Sequence, residues 1–203
     1  SDITHLEIEV PDAEFSVDFP ASDSERLDAT VKRFLELYDA AESPVFLIDQ
    51  DTDRHAFTEI FRTIIDRAQI PYAHMASGKA VLNERDALCL GTYNGAASAP
   101  GVQEKIEHSD FLITTNPRFI EVNSGSFTHH LPEDGIINIG DQHFSMGGEY
   151  FVGINSLEAL QRIAEQIPEK KTAAAQPEGI STFEVQPGKP LSQERLWPQI
   201  LDF

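Results

Sequence analysis

The stretch from residue 123 to residue 131, NSGSFTHHL, collects side chains that enzymes use for chemistry. Asn123 and Ser124 open it, and His129 and His130 stand side by side near its end. Imidazoles transfer protons and bind metals, and hydroxyl groups act as nucleophiles when a base lies beside them. Adjacent histidines on a regular element point in different directions, however, and neither a third metal ligand nor a nucleophile elbow accompanies them. The pattern therefore favours a polar loop at the end of a strand.

A second candidate stretch, DQDTDRH, follows the apolar run SPVFLI. Asp49, Asp51 and Asp53 alternate as in a calcium loop, but Arg54 stands at the sixth position, where such a loop needs glycine. A strand-to-helix turn with acids near a helix N-terminus explains these carboxylates equally well. The turn has no glycine to let a dinucleotide pyrophosphate approach the backbone. It nevertheless follows a strand, which is where open α/β sheets bind ligands.

The amino-acid composition restricts the kinds of molecule that this protein is expected to bind. The 203 residues include 34 acidic and 15 basic side chains, and the formal net charge is −19 at pH 7. This charge repels nucleic acid and anionic membrane surfaces, so neither is expected as a partner. The single cysteine, Cys89, can form neither an internal disulfide nor a multi-cysteine metal site. Because no signal peptide or membrane-spanning run is visible, we expect a cytoplasmic protein.

The elements that would position these residues alternate between strands and helices. Helical periodicity is found at residues 24–41, 54–68, about 100–108 and from 156 onward, and Ser24 and Ser156 are expected to cap the first and the last of these helices. Short apolar runs typical of buried strands are SPVFLIDQ, PYAHM, FLITT, GIINIG and GEYFVGI. The alternation predicts an α/β fold with an open, mostly parallel, Rossmann-like sheet and helices on both faces.

Composition changes on both sides of this α/β region. Residues 1–23 mix apolar and acidic residues with prolines and are expected to form an extended connector, while residues 24–168 form the domain itself. Residues 169–190 have the alanine, proline, glutamine and lysine content of a linker. Residues 191–203, LSQERLWPQILDF, predict a helix too apolar for an isolated tail, which we interpret as the first helix of a further domain.

Four segments carry a resemblance to a known family: GKAVLNERDALCLGTYNGAASAPGVQEKIEHSDFLITTN, NSGSFTHHLP, IINIGDQHF and PLSQERLW. In this order they resemble the middle region of thiamine-diphosphate-dependent 2-oxo acid decarboxylases. That family includes the pyruvate, indolepyruvate, phenylpyruvate and branched-chain keto acid decarboxylases. The resemblance extends over essentially the whole chain from about Asp28. It implies a central domain between an N-terminal domain that binds the cofactor's aminopyrimidine and a C-terminal domain that binds its diphosphate and Mg²⁺.

The resemblance implies a structural or regulatory role inside a lyase that converts a 2-keto acid to an aldehyde and CO₂. Thiamine diphosphate and Mg²⁺ would be bound by the other domains of the same polypeptide, in a homo-oligomer. This chain is then expected to hold no catalytic, cofactor-binding or metal-binding residue and to be inactive in isolation. The alternative is a free-standing ligand- or nucleotide-sensing module of the same fold.

Two sets of site residues also follow from the resemblance. Asn123 and Ser124 match a segment near the substrate pocket of relatives, which predicts a secondary contribution to substrate fit. Arg54 and His55 match the basic pair of a substrate-activation site in yeast-type pyruvate decarboxylases, whereas Asp51 stands where those enzymes carry a cysteine. We therefore expect these three residues to form a regulatory keto acid site, and the missing cysteine speaks against thiol-linked activation.

Overall fold

A computed structural model describes most of the chain, namely Glu7, Glu9 and residues 21–99, 101–169 and 187–201. The predicted connector and linker lie largely outside these residues. The helix predicted near the end of the chain is present at Gln193–Leu201. Within the described ranges, no helix is both long enough and apolar enough to cross a membrane.

The described elements alternate between helix and strand. In chain order they are α1 (Ser24–Ala40), β1 (Pro44–Ile48), α2 (Gln50–Arg54), α3 (Thr58–Ala68), β2 (Tyr72–His74), β3 (Cys89–Thr92), α4 (Val102–Glu107), β4 (Phe111–Thr114), β5 (Ile136–Ile139), β6 (His143–Met146), β7 (Glu149–Val152), α5 (Ser156–Gln166) and α6 (Gln193–Leu201). Short 3-10 turns lie at Ala76–Gly78 and Glu121–Asn123.

One sheet of seven strands has the order β3-β2-β1-β4-β5-β6-β7. Strands β1 to β5 are parallel, and β6 and β7 follow as antiparallel neighbours. The chain moves outward from β1 to β3 and then returns to the other side of β1 with β4, so the strand order reverses between β1 and β4. The predicted open, mostly parallel α/β sheet is therefore confirmed.

The structure adds two strands and divides one predicted helix. The sequence predicts irregular structure around Cys89–Thr92 and no element at His143–Met146, yet these segments form β3 and β6. The helix predicted from Arg54 to Ala68 is two helices, because α2 ends at Arg54 and α3 begins at Thr58. Between them Ala56 has a φ of 58°, a left-handed conformation that a right-handed helix cannot contain.

Three helices cover one face of the sheet, which we call the α1 face. Helices α1, α3 and α5 pack there because each carries a stripe of apolar residues spaced three or four positions apart. In α1 the stripe consists of Leu27, Val31, Phe34 and Tyr38. The strands contribute alternate side chains to this core, including Phe46, Ile48, Phe111, Ile113, Ile137, Ile139 and Phe144.

The opposite face, which we call the α4 face, is covered less completely. Helix α4 packs through Val102 and Ile106 on strand residues that include Val45, Leu47 and Leu112. Beside this smaller core, the irregular segment 116–134 contributes Phe119 and Leu131. On the outer strand β7 the side chains of Tyr150 and Val152 are exposed.

Candidate functional site

A pocket of about 340 Å³ opens at the carboxyl ends of β1, β4 and β5, where the strand order reverses. We call it the switch cleft. Its polar lining comes from the segments that follow these three strands: Asp51, His55, Thr115, Asn116, Asp141, Gln142 and His143. A reversal of strand order is the usual place for a ligand in an open α/β sheet, because the loops on either side of it diverge and leave a crevice.

The turn between β1 and α2 is held firmly at the base of this cleft. Asp49 is buried, and its Oδ1 accepts hydrogen bonds from the Gln50 backbone N–H at 2.7 Å and from the Ser77 hydroxyl. The hydroxyl oxygens of Thr52 and Thr115 lie 3.2 Å apart and join α2 to the end of β4. The Asp49 carboxylate thus occupies the N-terminus of α2, where its charge is favoured.

The cleft brings opposite charges close together. The Arg54 guanidinium donates to Asp51 Oδ1 at 3.0 Å, with 61% of the arginine side chain exposed. His55 Nδ1 lies 3.9 Å from Asp141 Oδ1, and the His55 ring packs against Phe57 with 5.4 Å between centroids. Of the three residues predicted for a regulatory site, Asp51 and His55 line the cleft, and Arg54 lies beside it through its bond to Asp51. Their regulatory role stays a prediction.

Sequence reasoning missed most of the residues that line the cleft. Thr115, Asn116, Asp141 and His143 were not among the predicted site residues, although the structure places them with Asp51 and His55. A usable signal was present: each of these residues follows the carboxyl end of a strand within five positions. Polar residues that directly follow strands are the candidates for a site, because the carboxyl ends of parallel strands lie at one edge of the sheet.

The residues predicted for substrate fit lie in the segment 116–134. Asn123 Oδ1 accepts from the Ile120 backbone N–H at 2.7 Å, and its Nδ2 donates to the Arg118 carbonyl at 2.8 Å. The buried Ser124 hydroxyl donates to the Ile120 carbonyl at 2.6 Å and accepts from the Phe127 N–H at 3.0 Å. Both side chains therefore shape this segment. Their contribution to substrate fit stays a prediction.

Three side chains clamp this segment onto neighbouring elements. Asn94 Oδ1 accepts from the Gly125 N–H at 2.6 Å, and Thr128 Oγ1 accepts from the Ala96 N–H at 2.9 Å. Glu107 Oε1, at the end of α4, accepts from the Tyr93 hydroxyl at 2.7 Å and from the backbone N–H of residue 130 at 3.0 Å. Burial and then the Glu107 carboxylate raise the pKa of Tyr93, so the phenol stays a donor.

The clamped segment contains an unusual left-handed turn. Gly125, Ser126 and Phe127 have φ values of 59°, 60° and 62°. This conformation is strained for a bulky residue and persists only where surrounding contacts enforce it. Three apolar residues of this segment are largely exposed: Ile120 to 56%, Val122 to 81% and Phe127 to 61%. We call these three side chains the loop ridge, an apolar surface for which the described residues provide no cover.

The two adjacent histidines do not act as a pair. The His129 ring stacks on Phe119 with 4.1 Å between centroids, and residue 130 is held through its backbone by Glu107. In the part of the chain that the structure describes, no three His, Cys, Asp or Glu side chains are grouped to hold a metal ion. The geometry agrees with the interpretation of NSGSFTHHL as a polar loop at the end of a strand.

Comparison with known proteins identifies the family. Residues 31–167 match the model of the family described as thiamine pyrophosphate enzyme, central domain. The match covers well over half of the chain, so the chain belongs to this family, and the resemblance seen in the sequence is confirmed.

Individual relatives extend the comparison. The chain is 29% identical over 189 residues to a pyruvate decarboxylase of Candida glabrata, and this alignment covers 90% of the chain and 33% of the relative. It is 26% identical over 186 residues to pyruvate decarboxylase isozyme 2 of Saccharomyces cerevisiae, again 90% of the chain and 33% of the relative. An alpha-keto-acid decarboxylase of Mycobacterium ulcerans is 32% identical over 138 residues, 66% of the chain and 24% of the relative. The chain thus spans about a third of the length of the pyruvate decarboxylases it matches.

The helix N-terminus beside the switch cleft does not fit the diphosphate of the cofactor in the family's name. A diphosphate is usually bound by free backbone N–H groups at a helix N-terminus, often together with a divalent cation. In this sheet the Asp49 carboxylate already occupies the N-terminus of α2 and would repel a diphosphate. The N-terminus of α2 is therefore not complementary to the diphosphate of thiamine diphosphate.

Proposed function

We propose that this chain is a non-catalytic central domain of a thiamine-diphosphate-dependent 2-oxo acid decarboxylase, which converts a 2-keto acid to an aldehyde and CO₂. The match of residues 31–167 to the central-domain family carries the proposal. Relatives named as decarboxylases, aligned over most of the chain, support the reaction class. Thiamine diphosphate supplies the carbanion chemistry when bound. We assign it, with Mg²⁺, to the N- and C-terminal domains of the parent polypeptide.

The loop ridge is the surface that we expect to meet those domains. Ile120, Val122 and Phe127 expose large apolar side chains within eight residues, and the clamped segment holds them in place. Apolar groups clustered in this way usually mark an interface. In this arrangement Asn123 and Ser124 shape one wall of a substrate pocket and hold the ridge in position, without taking part in the chemistry.

The switch cleft is the proposed regulatory site, formed by Arg54, His55 and Asp51, in which Arg54 and His55 bind a keto acid and Asp51 is the partner that Arg54 gives up. The exposed Arg54 guanidinium supports this role, because a planar guanidinium binds a carboxylate through two parallel hydrogen bonds. Asp51 competes for the same group, so a keto acid has to replace Asp51 as the partner of Arg54. The exchange would free the Asp51 carboxylate at the edge of α2.

One observation favours the alternative of a free-standing ligand-sensing module. Segments that follow three different strands of this domain converge on the switch cleft, so the domain could bind a ligand there by itself. The two functions differ in what they require of flanking sequence. A natural reading frame that continues into a cofactor-binding domain would exclude the module, and a frame that encodes only this domain would exclude the decarboxylase.

Thermal unfolding of the chain with pyruvate, phenylpyruvate and indolepyruvate tests the regulatory site. A keto acid at about 100 times its dissociation constant adds about 2.7 kcal/mol of stability, which raises the melting temperature by several degrees. Arg54→Ala should abolish this rise. Arg62→Ala is the matched control, because Arg62 is similarly exposed and forms the same kind of i,i+3 pair, with Glu59 at 3.4 Å.

The outcomes separate the two parts of the proposal. No shift with any keto acid, or an equal shift in Arg54→Ala, would exclude the regulatory site and leave the central-domain assignment standing. Release of CO₂ from pyruvate by the isolated chain with thiamine diphosphate and Mg²⁺ would overturn the non-catalytic assignment itself.

A further inference from the structure

A second, larger pocket crosses the α4 face. It has a volume of about 700 Å³ and meets the switch cleft only at Asn116. Phe119 and Leu131 form an apolar wall, and Thr114, Asn138 and Ser145 lie along the sheet side. We call it the β5 groove.

Three neighbouring strands place polar side chains in one row along this groove. Thr114 of β4 pairs with Asn138 of β5, and Asn138 pairs with Ser145 of β6. Residues paired across neighbouring strands point to the same face, so the three side chains lie next to one another. Other positions of the same strands, such as Ile113 and Ile137, are apolar and face the α1 core. On these strands the polar row therefore lies on the side that faces the groove.

Two atoms in this row lack the partners that buried polar groups normally have. Thr114 is 2% exposed, and its Oγ1 has no hydrogen-bond partner among the described residues. Asn138 Oδ1 is likewise buried without a partner, and its Nδ2 has only a long contact of 3.4 Å with Asn116 Oδ1. An unsatisfied buried polar group costs about 1–3 kcal/mol. Among the described residues only this long contact holds the Asn138 carboxamide, which would have to turn for its buried oxygen to meet a molecule in the groove.

The surroundings restrict the chemistry of such a molecule. Asn138 Oδ1 requires a hydrogen-bond donor, whereas the Thr114 hydroxyl can both donate and accept. Phe119 and Leu131 suit a flat apolar body. The Glu133 and Asp134 side chains at the rim are exposed and disfavour an anion. We propose that the β5 groove is a binding site for an aromatic amine or amide, a compound class chemically distinct from the keto acids assigned to the switch cleft.

The test is an NMR titration of the ¹⁵N-labelled full chain with benzamide and phenethylamine, and with phenylacetate as the anion of similar shape. Benzamide or phenethylamine should produce saturable shifts at the backbone amides of Thr114, Asn116, Asn138 and Ser145, and phenylacetate should not. Thr114→Val keeps the side-chain shape but removes the unpaired hydroxyl. The fold should be at least as stable, since the loss of an unsatisfied buried group is not destabilising.

Binding by the Thr114→Val variant should weaken by up to about tenfold, the equivalent of one hydrogen bond. The matched control is Thr63→Val, which removes an exposed hydroxyl on α3 that donates to the Glu59 carbonyl. The proposal is overturned if no shift saturates at the groove up to about 10 mM, which would leave water as the partner of the buried groups. Equal binding of phenylacetate, or unchanged affinity in Thr114→Val, would also overturn it.

Discussion

The two faces of the sheet are built from the same strands but carry different kinds of side chain. On the α1 face Phe34 meets Phe111 and Phe144 edge to face, with ring centroids 5.2 and 6.5 Å apart. On the α4 face the neighbouring positions of β4 and β5 are Thr114 and Asn138. Because successive strand residues point to opposite faces, one short strand can contribute to an apolar core and to a polar groove. We infer that the α1 face supplies most of the stability, while the switch cleft and the β5 groove lie at the carboxyl edge and on the α4 face.

The largest effect is expected from a cavity in the α1 face. Phe34→Ala removes a fully buried ring from the centre of the aromatic cluster. Loss of buried area together with the remaining cavity should lower the free energy of unfolding by about 3–5 kcal/mol. Urea denaturation followed by circular dichroism measures this loss.

The matched aromatic residue on the other face is Tyr150, whose side chain is 76% exposed on β7. Tyr150→Ala should change the free energy of unfolding by no more than about 0.5 kcal/mol. Equal losses of unfolding free energy for Phe34→Ala and Tyr150→Ala would contradict this difference, because the two faces would then contribute equally to stability.

An intermediate effect is expected from the clamp on the α4 face. Glu107→Leu removes the acceptor for the buried Tyr93 hydroxyl and for the backbone N–H of residue 130. Each donor left unsatisfied costs about 1–3 kcal/mol, and residues 123–131 should lose one of the three side-chain clamps that hold them. Denaturation measures the stability, and amide hydrogen exchange measures the protection of that segment.

Two variants on the same helix sharpen this prediction. Glu107→Gln retains a carbonyl acceptor and should lose less stability than Glu107→Leu. Glu104→Leu removes an exposed carboxylate of α4 and should leave the exchange of residues 123–131 unchanged. Faster exchange at that segment in Glu104→Leu would mean that general destabilisation of α4, not the clamp, controls it.

The smallest effect concerns His74, at the carboxyl end of β2. Burial lowers the pKa of His74 below its usual 6.5, and this outweighs the opposing influence of Glu84, whose Oε2 lies 3.6 Å from Nε2. The unfolded chain then binds the proton more readily than the folded chain. Stability contributed by neutral His74 is complete above about pH 6.5 and is lost as the pH falls toward the lower folded-state value.

Melting temperatures of wild type and His74→Gln between pH 5 and 7.5 measure this effect. The variant should lose less stability than wild type on acidification, since a glutamine takes up no proton. Wild type that gains stability relative to the variant at low pH would contradict this prediction. The ion pair of His74 with Glu84 would then outweigh burial, and folding would raise the pKa of His74.

Regular periodicity made the larger elements predictable. Leu27, Val31, Phe34 and Tyr38 mark α1 by spacing alone, and the apolar run at β1 marks a strand buried on both sides. Strands β3 and β6 were missed because neither contains a continuous apolar run: Gly91 interrupts β3, and His143 and Ser145 interrupt β6. The helix caps were misplaced by one residue. The caps of α1 and α5 are Asp23 and Asn155, where the sequence suggested Ser24 and Ser156.

The candidate sites were predictable only where their residues are neighbours in the chain. Asp51 and His55 share one turn, so the resemblance of that turn found them together. Asp141 lies about ninety positions away and reaches His55 only because β4 and β5 pair beside β1. No local pattern encodes such a contact.

By itself the sequence determined the α/β class, the family and the apolar character of the core, because hydrophobic periodicity and motif order are local properties of the chain. The tertiary structure alone decided which polar residues meet. Strand order brought the ends of β1, β4 and β5 together in the switch cleft, and strand register aligned Thr114, Asn138 and Ser145 in the β5 groove. Order and register depend on pairing between distant segments, and a shift of one residue would turn these side chains to the opposite face.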